Sequence, residues 1–228
     1  EQIRAELLWL LTGAPALAAR GIRRSFPEGF SLRVEDFAVE AGSICGFTGP
    51  NGAGKTVLLE ILGLVEPPDE GGIELLGRRI FPGPVSREER TALTFVMQRP
   101  YLFRGTVAWN VGYGLAARGL AGPERKRRVD ACLERFGLGD LAGADVRRLS
   151  GGEARWVAIA RGCVLEPAIL ILDEPDAHLD EPHVEALDGL IRGMRGSTTV
   201  LFSTHDPART RICDHVFALD QGAVQQAR

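Results

Sequence analysis

Residues 43–64, SICGFTGPNGAGKTVLLEILGL, decide how the rest of the chain is read. The stretch opens on a short apolar run, 44–47, between Gly42 and Gly49, the pattern of a buried strand that empties into a glycine turn. Beyond Lys55 the apolar residues Val57, Leu58, Ile61, Leu62 and Val65 return at helical spacing. Strand, glycine loop and helix in direct succession predict an α/β fold.

The loop itself, Gly49-Pro50-Asn51-Gly52-Ala53-Gly54-Lys55-Thr56, fits GxxxxGK[ST]. In such a loop the backbone N–H groups and the positive end of the following helix surround phosphate oxygens. The lysine then reaches the β and γ phosphates and the threonine hydroxyl binds Mg²⁺. Lys55 is one of only two lysines in a chain with 25 arginines. A tight cradle favours the compact ammonium, whose donors rotate, over a planar guanidinium fork.

Two further apolar runs end in polar residues: AILILDEP (168–175) in Asp173 and Glu174, and TTVLFSTH (198–205) in His205. Buried strands with polar groups at their carboxyl ends are where open α/β sheets bind ligands. Beside a phosphate loop, Asp173 suits a Mg²⁺ ligand and Glu174 a group that orients or deprotonates the attacking water. His205 is placed to hydrogen-bond a γ-phosphate oxygen or that water. Read alone, Asp173 and Glu174 would cap a turn at Pro175, and a strand-end histidine would be structural. Residues 98–158 differ in character, with helical patterns at 123–136 and 151–164 and no clear strand, which predicts a helical subdomain inserted into the sheet domain. Within it LSGGE (149–153) sets Ser150, Gly151 and Gly152 at a helix start, an ordinary cap or a second anion-binding geometry.

Composition narrows the function classes. A chain of 228 residues, 45% hydrophobic and 25% charged, is an ordinary globular protein, and a net charge of −3 carries no footprint for duplex DNA or an anionic membrane. The run Arg125-Lys126-Arg127-Arg128 reads as a solvated helix face. Cys45, Cys132, Cys163 and Cys213 lack paired spacing, which argues against a metal–thiolate site and suits a reducing cytoplasm. The apolar stretch 7–19 holds 13 residues and includes Gly13 and Pro15, too short and broken to span a bilayer and a poor signal peptide. Residues 1–15 are expected to be an extension of unknown role.

In their order and spacing these motifs resemble the ATP-binding subunit of an ABC transporter, from about residue 17 to the end. Residues 49–56 resemble its Walker A loop, Gln98 the Q-loop glutamine and 149–153 the signature motif. Residues 169–174 resemble Walker B with the catalytic glutamate, 177–180 the D-loop and His205 the switch histidine. Phe26 stands where the family has an aromatic that stacks on adenine. The resemblance implies a P-loop NTPase (RecA-like) core with a mostly parallel sheet, an N-terminal antiparallel β part and the inserted helical subdomain. It implies ATP and Mg²⁺ as cofactors, with Glu174, His205 and Gln98 in catalysis and Thr56, Gln98 and Asp173 around the metal.

It also implies a head-to-tail homodimer, in which Ser150, Gly151, Gly152 and Asp180 of one chain close on the ATP held by Lys55 of the other. The chain departs from the family pattern at Glu153, Trp156, Asp176 and His178, around the signature and D-loops. Further implied partners are a membrane permease and, indirectly, a solute-binding protein, with the subunit peripheral on the cytoplasmic face of the inner membrane and no nucleic acid bound. The segment RPYLFRGTVAWNVGYGL after Gln98 reads either as a permease-receiving surface or as core of the helical subdomain. The chain ends 23 residues after His205, so no C-terminal regulatory domain is expected. Compactness, QRPYLF and LSGGEA look most like tungstate, molybdate or phosphate-like oxyanion importers. The alternatives are an exporter or lipid-transport ATPase and a soluble ABC ATPase acting on DNA or ribosomes. A GTPase is disfavoured, because Lys126 lies in no Asn-Lys-x-Asp motif, and a simple kinase gives the Ser150 loop no role.

Overall fold

The computed structural model of the chain describes residues 14–227; the first 13 residues of the expected extension lie outside them. In chain order the elements are β1 (Leu17–Ser25), β2 (Ser31–Val39), β3 (Ile44–Thr48), α1 (Lys55–Leu62), β4 (Glu70–Leu75), β5 (Arg78–Phe81), α2 (Arg87–Ala92) and β6 (Leu93–Val96). Then follow α3 (Val107–Ala117), α4 (Gly122–Arg135), α5 (Gly151–Cys163), β7 (Ile169–Leu172), α6 (Glu181–Met194), β8 (Thr199–Ser203), β9 (His215–Asp220) and β10 (Ala223–Gln226).

The strands form one sheet in the order β5-β4-β1-β2-β10-β9-β3-β8-β7-β6. From β9 to β6 neighbouring strands run parallel, whereas β5, β4, β1 and β2 form an antiparallel part. The parallel strands are buried on both faces, which explains their unbroken apolar runs. Ile169 and Ile171 of β7, Leu201 of β8 and Cys45 and Phe47 of β3 pack in the core with Leu58, Leu59, Ile61 and Leu62 of α1. Alternate residues Leu170, Leu172, Val200, Phe202 and Ile44 face the core filled by α3, α4, α5 and α6.

Register puts the functional strand ends side by side. Phe47 pairs with Ser203, and Leu172 with both Phe202 and Val96, so the loops carrying Gly49, His205, Asp173 and Gln98 leave one edge of the sheet together. That edge is the carboxyl end of parallel strands.

Residues 98–158 contain α3, α4 and the start of α5, with short 3₁₀ turns at Gly139–Leu141 and Val146–Arg148 and only the isolated bridge Thr106–Asp145. Helix α3 carries no clean helical signal, because Gly112 and Gly114 interrupt it. Tertiary packing supplies what propensity lacks. A Cβ on Gly112 would lie 2.9 Å from Val129, and one on Gly114 2.8 Å from Leu165, so the glycines permit this close approach. The fully buried Asn110 exchanges hydrogen bonds with the backbone of Phe103 at 2.9 and 2.8 Å and donates to the Thr106 carbonyl at 3.1 Å.

Candidate functional site

The loop between β3 and α1 folds as a cradle because its glycines take conformations closed to other residues. Gly52 and Gly54 have φ of 79° and 101°. Gly54 is the N-cap of α1 and brings no side-chain cap, so the first N–H groups of the helix are left for an anion. Lys55 curls back over the loop: its Nζ donates to the carbonyls of Gly49 at 2.8 Å and Pro50 at 3.1 Å. Burial pushes the ammonium's pKa down, while Glu174 and Asp173 pull it back up.

Asp173 is 1% exposed and both its oxygens accept hydrogen bonds, from Thr56 Oγ1 at 2.9 Å and from Ser203 Oγ at 2.7 Å. Ser203 Oγ in turn accepts the Glu174 N–H at 2.8 Å. Ser203 escaped the sequence reading, although a hydroxyl two residues before His205 was the available signal. Glu174 sits at φ 44°, in the left-handed region. Its carboxylate accepts from Gln98 Nε2 at 2.5 Å and is hydrogen-bonded to His205 Nε2. The structure thus brings Gln98 and His205 onto the two oxygens of the Glu174 carboxylate.

A cleft of about 470 Å³ is lined by Phe30, Asn51, Gly52, Gly54, Lys55, Thr56, Val57, Gln98 and Glu174. Phe30 belongs to it and was not foreseen; a Cβ on Gly54 would lie 2.7 Å from its ring. Phe26 lies one step outward, half-buried, its ring centroid 6.0 Å from Phe30 and beneath the Arg24 guanidinium at 5.3 Å.

The residues suit Mg²⁺. Thr56 Oγ1, the Asp173 carboxylate and the Gln98 amide offer hard oxygens beside a phosphate cradle.

Ser150, Gly151 and Gly152 lie away from this cleft at the start of α5. Ser150 caps the helix reciprocally with Glu153: its Oγ receives the Glu153 N–H at 3.2 Å, and the Glu153 carboxylate accepts from the Ser150 N–H and hydroxyl at 2.7 Å each. Those bonds hold the Glu153 carboxyl below its ordinary pKa. Asp180 caps α6, accepting from the His183 N–H at 3.1 Å and lying 2.5 Å from His183 Nδ1. Trp156 fills the space behind the signature loop, its indole donating to the Phe136 carbonyl at 2.8 Å and its ring edge-on to His183. Asp176 accepts from Thr204 Oγ1 at 3.0 Å and pairs with buried Arg209 at 3.2 Å. Arg155, which the sequence did not single out, donates to the carbonyls of Glu174 at 2.8 Å and of Gln98.

The segment after Gln98 divides between core and surface: Val107, Val111 and Leu115 are buried, and the aromatic side chains lie outside. Tyr101, Trp109 and Tyr113 are 69%, 48% and 42% exposed around half-buried Phe103. No helix among the described residues is long and apolar enough to cross a membrane.

Comparison with known proteins matches residues 32–177 to the ABC transporter family model. The chain is 33% identical over 215 residues to the tungstate uptake system ATP-binding protein TupC of Peptoclostridium acidaminophilum, covering 92% of this chain and 97% of that one. It is 36% identical over 211 residues to a probable anion import ATP-binding protein of Haloferax volcanii, covering 86% and 73%. Among solved structures, the ATP-binding cassette MJ0796 in a dimeric post-hydrolysis state with ADP and Pi superposes with a TM-score of 0.84 at 25% identity, covering 93% of this chain and 99% of that one. The cbiO1 protein of Clostridium perfringens, part of the ABC transporter complex cbiONQ, superposes with a TM-score of 0.80 at 29% identity, covering 93% and 88%.

Proposed function

This chain belongs to the ABC transporter family as an importer-type ATP-binding subunit that hydrolyses ATP, and from that premise we propose that it powers uptake of an oxyanion such as tungstate or molybdate through a separate membrane permease. One observation carries the chemistry: Asp173 and Glu174, at the end of one strand, meet Lys55 and Thr56 of the phosphate loop.

The loop N–H groups of 49–56 and the Lys55 ammonium bind the β and γ phosphates. When bound, Mg²⁺ neutralises charge on the phosphate oxygens, held by Thr56 and Asp173 with Gln98 beside them. Glu174 takes the proton of a water that attacks the γ-phosphorus, the bond to the β,γ-bridging oxygen breaks, and ADP leaves with that electron pair. His205 holds the water or a γ-phosphate oxygen by hydrogen bond, and Phe26 stacks on adenine. The Glu174 carboxylate is bonded to both Gln98 and His205, which places all three groups together at the phosphate loop.

Ser150, Gly151, Gly152 and Asp180 act on the nucleotide of a second copy. Their distance from their own cleft and the exposure of Ser150, Gly151 and Asp180 support this reading, as do relatives seen as dimers. The exposed Tyr101, Trp109 and Tyr113 suit a permease surface, since aromatic groups are enriched at interfaces. The subunit would then lie on the cytoplasmic face of the membrane, with a solute-binding protein on the other side. The oxyanion assignment draws on the tungstate and anion importers among the relatives; sulfate and methionine importers also match.

Cells lacking this chain are expected to lose tungstate or molybdate accumulation, measured as cell-associated metal. The parent restores it and Lys55→Ala does not, with nucleotide affinity reduced about 100-fold or more. Undiminished accumulation in the deletion strain would refute the oxyanion assignment, and parental ATP affinity in Lys55→Ala would refute the phosphate-loop assignment.

A further inference from the structure

We infer that Arg155 is a positioning residue that ties the backbone of Gln98 to that of Glu174, so that the signature helix α5 sets the geometry of its own chain's water-activating carboxylate. The inference rests on the catalytic reading of Glu174 and Gln98 given above.

Arg155 lies in the second turn of α5 and is 5% exposed. Its guanidinium donates through one nitrogen to the Glu174 carbonyl at 2.8 Å and through the other to the Gln98 carbonyl. The two acceptors are far apart in sequence but sit just beyond neighbouring parallel strands, β6 and β7, where Val96 pairs with Leu172. A planar fork with donors on two separate arms can serve both loops at once, whereas an ammonium reaches two carbonyls only where both converge on its single nitrogen. Burial lowers the pKa of Arg155, and the nearby Asp176, Glu174 and Asp173 carboxylates oppose that shift, so the cation sits within the acidic end of the site.

Glu174 needs such support. Its φ of 44° is a conformation that persists only where surrounding contacts fix it. Ser203 Oγ receives its N–H at 2.8 Å on one side, and Arg155 holds its carbonyl on the other, together with the Ala177 N–H at 3.2 Å. Between these anchors the carboxylate is aimed at Gln98 and His205. Helix α5 grips the Gln98 loop a second time, because Arg161 donates to the Tyr101 carbonyl at 2.9 Å and lies over the Phe103 ring at 5.6 Å. The same helix thus contacts the Gln98 loop, the exposed aromatic segment and the Glu174 backbone.

The test uses the full chain, with ATP affinity, kcat, KM and thermal midpoint measured for Arg155→Met, Arg155→Lys and Glu174→Gln. Arg155→Met is expected to keep ATP affinity within about 3-fold and lose about 10-fold or more in kcat, with Arg155→Lys between it and the parent. Parental kcat in Arg155→Met, or a loss of ATP affinity as large as the loss of kcat, would overturn the inference. Should Arg155→Met fail to fold, Arg155→Lys decides: parental kcat there overturns the inference, and a lowered kcat at unchanged ATP affinity supports it. Glu174→Gln separates the two levels of the argument. If that variant hydrolyses ATP normally, the catalytic reading fails; if it is inactive while Arg155→Met turns over normally, only the role of Arg155 fails.

Discussion

Glu174 shows how much one residue's meaning depends on its immediate partners. A glutamate after a strand is unremarkable, but this one occupies a left-handed conformation and is held by Gln98 and His205 at the mouth of a phosphate loop. Glu174→Gln preserves shape and loses basicity. The expected outcome is ATP binding close to parental and turnover reduced about 10²- to 10⁴-fold, read by phosphate release alongside nucleotide affinity. Turnover at the parental rate would remove Glu174 from the chemistry.

Among the elements, α5 carries the most function per turn. Its first turn is closed by the Ser150–Glu153 capping box, and its second and last turns hold the Gln98 loop through Arg155 and Arg161. The cap makes a pH-dependent contribution whose sign follows from the carboxyl. Glu153 is held below its ordinary value of 4.5, chiefly by the Ser150 hydroxyl and then by the Ser150 N–H. A carboxyl depressed in the folded state stabilises the fold above its unfolded pKa and loses that contribution as pH falls through the folded one. Ser150→Ala is therefore expected to cost about 1 kcal/mol in urea unfolding at pH 7. The difference from the parent should shrink as pH falls below about 4.5. A difference constant from pH 7 to pH 3 would mean that the charged cap contributes nothing.

At the scale of the whole molecule, the signature loop does not line the cleft of its own phosphate loop, so the proposed composite site needs two chains. Ser150→Arg should leave nucleotide binding to the isolated subunit intact and abolish hydrolysis. Mixed in equal amounts with the equally inactive Lys55→Ala, it should recover roughly a quarter of parental turnover. Half of the dimers formed would be mixed, and each would carry one intact site built from Lys55 of one copy and Ser150 of the other. No recovery on mixing, with both variants folded and dimerising, would refute the shared site.

The sequence by itself determined whatever rests on local pattern. The strand, glycine loop and helix of β3 and α1, the buried strands β7 and β8, and the helices α4 and α5 were legible because apolar period and glycine punctuation are written along the chain. Asp173, Glu174 and His205 stood out because strand ends are readable and polar residues there are conspicuous. Only the tertiary structure decided the rest. Helix α3, with two interior glycines, owes its form to Val129 and Leu165, which pack where side chains are missing. Strand β6 is as short as β7, but Thr94 breaks its apolar run, and it carries Gln98 to the site by pairing with β7. Ser203, Phe30 and Arg155 join the site through contacts made across the fold, to Asp173, to Gly54 and to two carbonyls on different loops. A chain written in one dimension records which groups can bind phosphate, but register and packing choose which of them meet.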